Sequence, residues 1–227
     1  MKKIINFVKF DFHSVSIYFK NTMFMLGLSL FIAVLSSLTT GIIMLGVYII
    51  AVSSYPFILS ERGGFSMLSG SLPLSRHDFV RGRYGFAVVM NIVFLVIASV
   101  EVIAVCAAKS IIADIPMYLL AILAASLYVA FSISLQYIVM FKFGYSKSKF
   151  ITVAPIALVF AIFGAFASIV GFSNLNFYEV IIKNGEQLIG TAIRYFPLLL
   201  AAMVVLSAML YAGAVAISQR IYAKKEF

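Results

Sequence analysis

"NTMFMLGLSLFIAVLSSLTTGIIMLGVYIIAVSSYPFILS", Asn21 to Ser60, contains no Asp, Glu, Lys, Arg or His. No water-facing surface can be built from so long an uncharged run, whereas two helices of about 19 residues would each cross the roughly 30 Å hydrocarbon core of a bilayer. The "TTG" at Thr39 to Gly41 is the expected turn between them. In lipid, every backbone N–H and C=O must be satisfied within the segment or by a closed barrel, and runs of this length satisfy them as helices. The stretch therefore sets the fold class as an all-α membrane protein.

The rest of the 227 residues repeats the pattern. Apolar runs from Tyr84 to Ala108, Pro116 to Phe141, Phe150 to Phe172 and Tyr195 to Ser218 bring the expected spans to six. Mean hydropathy is +1.10 and only 11% of residues are charged, against about a quarter in soluble domains. A single transmembrane domain over 1–227 follows, with 1–20 as an interfacial helix, 60–84 as a cytoplasmic loop and 172–195 as an outer helical loop. The one cysteine, Cys106, lies inside a run and reads as packing. The first residues carry lysines but lack an uninterrupted apolar core and a small-residue cleavage site, so the N-terminus is expected to be retained.

Orientation is read from Lys and Arg, which are retained on the cytoplasmic side. Placing the N-terminus inside gathers Lys2, Lys3, Lys9 and Lys20, Arg62, Arg76, Arg81 and Arg83, Lys142, Lys147 and Lys149, and Arg220, Lys224 and Lys225 on that side. Only Lys109, Lys183 and Arg194 remain outside. Both termini are thus expected in the cytoplasm. The net charge of +9 reports topology, and no nucleic-acid partner is needed to explain it.

In the N-terminal segment Ile4, Val8, Phe12, Val15 and Phe19 share one helical face, with Lys2, Lys9, His13 and Lys20 opposite. It predicts a helix lying in the membrane interface. Phe10 and Ile17 fall off the stripe, which leaves contact with a protein partner open. Between the fifth and sixth runs, "FYEVIIKNGEQLIGTAIRY" predicts two short outer helices broken at Asn184-Gly185.

Chemistry-bearing residues are few. There is no HExxH, no GxSxG, no CxxC and no phosphate-cradling GxxxxGK[ST] loop, so the chain is expected to be neither an enzyme nor an ATP binder, with no cofactor of its own. Glu101 is the one acid well inside a span; it reads either as a functional group or as a partner of Lys109 or Arg194 near the outer end. Asn91 and Gln136, with Ser132 and Ser134, could line a pathway or bridge helices. Ten Met, 22 Phe and 12 Tyr without a Trp suit an adaptable apolar interior for amphipathic or lipid-like cargo.

The polar interruption "SERGGFSMLSGSLPLSRHDFVRGRYG", Ser60 to Gly85, carries the most specific signal. Gly63-Gly64, Gly70 and Leu72-Pro73 punctuate it, and Ser75 with Asp78 three residues later can cap a short helix held across the membrane plane. The pattern E-R-G-G…SLPLSR…V-x-G-R-Y resembles the loop between the second and third spans of small bacterial ABC-2 type exporter permeases, through Glu61, Leu72, Pro73, Leu74, Ser75, Arg76, Val80 and Tyr84. The layout is also similar to the membrane subunits that export phenol-soluble modulins, amphipathic peptides of Gram-positive bacteria.

The resemblance implies a bacterial cytoplasmic-membrane permease. It implies a coupling helix docked on a separate ABC-type ATPase that holds the ATP and Mg, and a second permease copy, identical or related. Cargo would be an amphipathic peptide, lipid or drug moved outward by alternating access. Glu61, Arg62, Leu72, Pro73, Leu74, Ser75, Arg76 and Asp78 would form the ATPase-coupling surface, with Arg81 and Arg83 either joining it or serving as positive-inside residues. Two other readings stay open: a substrate-capture membrane subunit of a vitamin importer, and a non-transporting membrane interaction or immunity protein.

Overall fold

The computed structural model describes residues 2–16, 19–62, 75–110, 115–145 and 194–223, together with Ala157. The expected fifth span, the outer helices and Leu72, Pro73 and Leu74 of the loop lie outside these residues. Among the described residues every regular element is helical: α1 (Lys2–Ser16), α2 (Phe19–Leu35), α3 (Leu38–Ser53), α4 (Tyr55–Arg62), α5 (Arg76–Ala108), α6 (Ile115–Phe143) and α7 (Phe196–Ala223). Among the described residues four stretches are long and apolar enough to cross a membrane: Leu38–Glu61, Arg76–Ala108, Met117–Phe143 and Phe196–Ala223. The pair Ile5–Ser16 and Lys20–Leu35 adds a fifth if it is counted as one bent span.

Two boundaries differ from the sequence expectation. The division of the uncharged block falls at Ser36–Ser37, because Ser37 accepts the Thr40 N–H at 3.2 Å and caps α3, leaving Thr39 to Gly41 in the first turn. The segment from Arg76 to Arg83 is no separate short helix; it runs unbroken into the span as the first two turns of the 33-residue α5. Ser75 caps that helix by accepting the Asp78 N–H at 3.1 Å, and nothing between Arg76 and Ala108 is a helix breaker of the Pro type.

The α3–α4 span is interrupted at Ser54. The Ser54 N–H turns back to Ala51 O, and Phe57 N–H bonds to Ser54 O at 3.0 Å, which leaves the Ser53 carbonyl without its helical donor. The Tyr137 hydroxyl of α6 donates to it at 2.7 Å, as a freed carbonyl in lipid requires. Helices α3, α5 and α6 form the core, with Leu45, Ile50, Phe86, Phe94, Ile133 and Met140 almost wholly enclosed. Helix α7 packs on α6 and α5, while α2 rests mainly on α3. Phe24, Leu35, Leu198 and Met209 are about two-thirds exposed, a surface natural in lipid and unfavourable in water.

Candidate functional site: the Arg83 end of the bundle

Five helices converge where α5 begins. Arg83 is 1% exposed and its Nη1 donates to Asp11 Oδ1 of α1 at 2.8 Å. Its guanidinium also lies 5.3, 5.0 and 5.2 Å from the ring centres of Phe7, Phe57 and Phe79, so a carboxylate and three aromatic faces replace water around one cation. The rings continue outward: Phe79 stacks on Tyr222 of α7 at 5.4 Å, Phe57 meets Phe141 of α6 at 5.1 Å, and Tyr84 meets Tyr137 at 5.3 Å. Tyr84 and Ser218 share a hydrogen bond at 2.9 Å across α5 and α7.

The seat for α1 is made by glycine. A Cβ at Gly82 would run into the Phe7 ring, and one at Gly85 would lie 2.9 Å from Val8 Cγ2. Glycines one turn apart let α1 lie close enough for Asp11 to reach Arg83. The buried stripe of α1 is centred on Phe7 and Asp11, 5% and 1% exposed, with Val15 partly buried beside them. Phe12 of the expected apolar face meets Phe86 at 6.1 Å yet is 48% exposed. A purely amphipathic wheel was therefore rotated, because the acid is drawn inward by its partner. Burial pushes the Asp11 carboxyl up to about 6, against the opposing pull of Arg83.

The expected coupling residues that are described, Glu61, Arg62, Ser75, Arg76 and Asp78, fall at this end of the bundle. Arg76 Nη1 donates to the Ala223 carbonyl at 3.1 Å, satisfying an orphan acceptor at the C-terminal end of α7 and favouring its dipole. Glu61, exposed at the end of α4, accepts the Tyr145 N–H beyond α6. There Gly144, at φ +78°, makes the left-handed turn that ends α6. Ser75 and Asp78 cap α5, while Arg62 closes α4. Arg83 is turned inward and is unavailable to a partner surface; Arg81 remains exposed.

The three pathway candidates are placed elsewhere. Asn91 and Gln136 are shut inside the bundle at 7% and 1% exposure. Glu101, 3% exposed, meets neither Lys109 nor Arg194; its Oε2 is 3.5 Å from Ser29 Oγ on α2. Asp11, Gly82 and Gly85 were missed in sequence. Their signals were present: Asp11 is the sole acid before Glu61, set in the aromatic "KFDFH", and Gly-Arg-Tyr-Gly places two small residues one helical turn apart.

Helices that cross lipid, joined at one end by a buried charge and an aromatic cluster, define a polytopic membrane protein whose ends are mechanically tied. The chain matches the ABC-2 family transporter protein model over residues 6–223 and belongs to that family. It is a membrane permease subunit of an ABC transporter, a class that works with an ABC ATPase. Neither a curated protein nor a solved structure matched it.

Proposed function

We propose that this permease is the membrane half of an ATP-driven exporter in a bacterial cytoplasmic membrane, with the Arg83 end and both termini in the cytoplasm. A separate ATPase, holding ATP and Mg, docks on the segment from Glu61 to Asp78. Leu72 and Leu74 fill a pocket of that partner, Pro73 shapes the turn between them, and Arg62 and Asp78 make polar contacts at its rim. Glu61, Ser75 and Arg76 hold the surface in place from behind.

The observation that carries this reading is the junction at the start of α5. Since Arg76 grips the end of α7 and Arg83 grips α1, a displacement of the first turns of α5 moves three elements together. Two such permeases, identical or related, rock between inward-facing and outward-facing states around a path for amphipathic or hydrophobic cargo, with peptides foremost. The apolar, methionine- and aromatic-rich composition of the chain favours such cargo over sugars and ions.

The test is purification from native membranes in mild detergent, with identification of what accompanies the chain. A P-loop ATPase is expected, and Leu72→Ala with Leu74→Ala should release it while the permease keeps its melting temperature. Arg76 is left intact in this test because its loss would also free the α7 terminus. A chain that comes alone, under conditions that preserve a known transporter complex, returns the protein to the non-transporting interaction reading.

A further inference from the structure

Helix α4 follows α3 across a one-residue break in the helical ladder. Pro56 has no N–H to offer the Val52 carbonyl, and the Phe57 N–H turns to Ser54 O, so neither residue bonds back across Ser54. Two hydroxyls turn back onto the α3 side. Ser53 Oγ donates to Ile49 O at 2.8 Å and Ser54 Oγ to Ala51 O at 2.6 Å, a back-bonding that bends helices. The Ser53 carbonyl is met from another helix, by the Tyr137 hydroxyl of α6.

The two ends of α4 are held in different ways. At the break the bond is shut away from water, with Tyr137 and Ser53 both fully buried. At the tip Glu61 accepts the Tyr145 N–H, and because Glu61 is exposed, water competes for that bond. Along one flank Pro56, Leu59 and Ser60 border a cavity of about 90 Å³ shared with Phe10 and Ser14 of α1. The eight residues of α4, about 12 Å of helix, are therefore pinned at one end, exchangeably tied at the other, and beside free space.

We propose that α4 is a lever that tilts into this cavity about the Ser53–Pro56 break, with Tyr137 positioning the pivot. The hydroxyl occupies a carbonyl that an unbroken helix would reserve for the Phe57 N–H, so the break persists while α4 turns. The Phe57 ring carries the tilt onward, its centre 4.9 Å from that of Tyr137 and 5.0 Å from the Arg83 guanidinium at the start of α5. The source of the push rests on the reading that an ATPase docks between Glu61 and Asp78; it enters at the tip, where Glu61 exchanges Tyr145 for water. The pivot itself belongs to the permease alone.

Hydrogen exchange on the purified full chain reads the pivot without an ATPase. Pro56→Ala with Ser54→Ala returns an N–H to Val52 and removes a back-bond, and should slow exchange at residues 57–61 of α4 about ten-fold. Tyr137→Phe should speed the same amides about ten-fold and leave residues 128–136 of α6 as in the wild type. No change in either variant, or a rise spread equally over α3 and α6, would make the break a fixed joint and overturn the proposal. Should the paired variant fail to fold, Pro56→Ala alone gives the same reading. The tilt is then read in the complex, by Ser14→Cys with Ser60→Cys on the α1 and α4 walls of the cavity; Cys106 is buried near the far end of α5. Oxidised with copper phenanthroline, the pair should cross-link about five-fold faster with ATP, Mg and orthovanadate than without nucleotide, and the difference should vanish when Pro56→Ala and Ser54→Ala are added. Equal rates in a complex that hydrolyses ATP overturn the lever. A chain that brings no ATPase overturns the docking reading instead, and hydrogen exchange alone then decides the pivot.

Discussion

Two acids are buried among the described residues, and the chain treats them differently. Asp11, at the Arg83 end, meets a guanidinium at 2.8 Å that is itself wrapped by three phenylalanines. Glu101, one to two turns from the far end of α5, has among the described residues only the Ser29 hydroxyl at 3.5 Å, and none of them partners its Oε1. No residue of α2 from Asn21 on, or of α3, could supply a countercharge, since Asn21 to Ser60 holds no ionisable Asp, Glu, Lys, Arg or His. Instead Glu101 fits against Gly41, where a Cβ would lie 2.9 Å from Oε1 and 2.6 Å from Ala33 Cβ. One acid is set against a cation, at a cost in desolvation, and ties elements together. The other is held by shape, in the seam where α2 rests on its neighbours. The contrast marks an end braced by an ion pair and aromatic rings and a seam held by close packing.

The comparison breaks most visibly if Asp11 is removed. Asp11→Ala strands the Arg83 cation, which cannot shed its proton, and should cost about 3–5 kcal/mol, read as a lowered melting temperature in detergent. Adding Arg83→Met to that variant should restore much of the loss, because an apolar pair replaces the charge outright. If Asp11→Ala melts like the wild type, the pair is not buried and that end is held no more firmly than the seam.

The pair should also answer to pH. Burial raises the docked Asp11 carboxyl from the ordinary 3.8 to about 6, so between those values the docked helix holds more protons than the undocked one. Docking of α1 is then strongest below pH 3.8, weakens as pH rises through about 6, and levels off above it, by roughly 3 kcal/mol at most. Proteolysis or hydrogen exchange at α1 should follow this curve, and Asp11→Asn should flatten it. A profile that strengthens with rising pH would mean that Arg83 outweighs burial.

At the seam the sharper probe is Gly41→Ala. Its methyl must displace Ala33 or the Glu101 carboxyl, and overpacking of this kind costs about 1–3 kcal/mol. Glu101→Ala should relieve part of that cost in the double variant, leaving the Ala33 contact. Strict additivity would show that Glu101 and Gly41 do not share the seam.

How much of this could be read from the sequence depends on whether the signal is local. Hydropathy runs placed α5, α6 and α7 to within a few residues at most of their ends, and the Ser75 cap was visible because a cap needs only its own next three residues. The break at Ser36–Ser37 was misplaced because two adjacent Ser-Ser and Thr-Thr-Gly signals compete, and only the Ser37 cap geometry decides between them. Arg83 was ambiguous for a different reason. A positive-inside arginine and a buried one have the same sequence neighbours, and what separates them is Asp11, 72 residues earlier. Glycine at 82 and 85 permits that meeting, but a glycine in a membrane helix does not announce which helix it seats.

The smallest expected effect is the most discriminating. Glu101→Gln keeps the shape that Gly41 accommodates and gives up a charge for which the described residues show no counterion. Its amide can donate toward Ser29 Oγ where the carboxylate cannot, so stability should change by no more than about 1 kcal/mol, far less than after Asp11→Ala. Transport by the assembled transporter should persist as well if Glu101 belongs to the α2 seam. A variant that folds and melts normally yet fails to move cargo would instead put Glu101 on the cargo path. A fall in stability as deep as that of Asp11→Ala would place a cation against it, and the two acids would then be held in the same way.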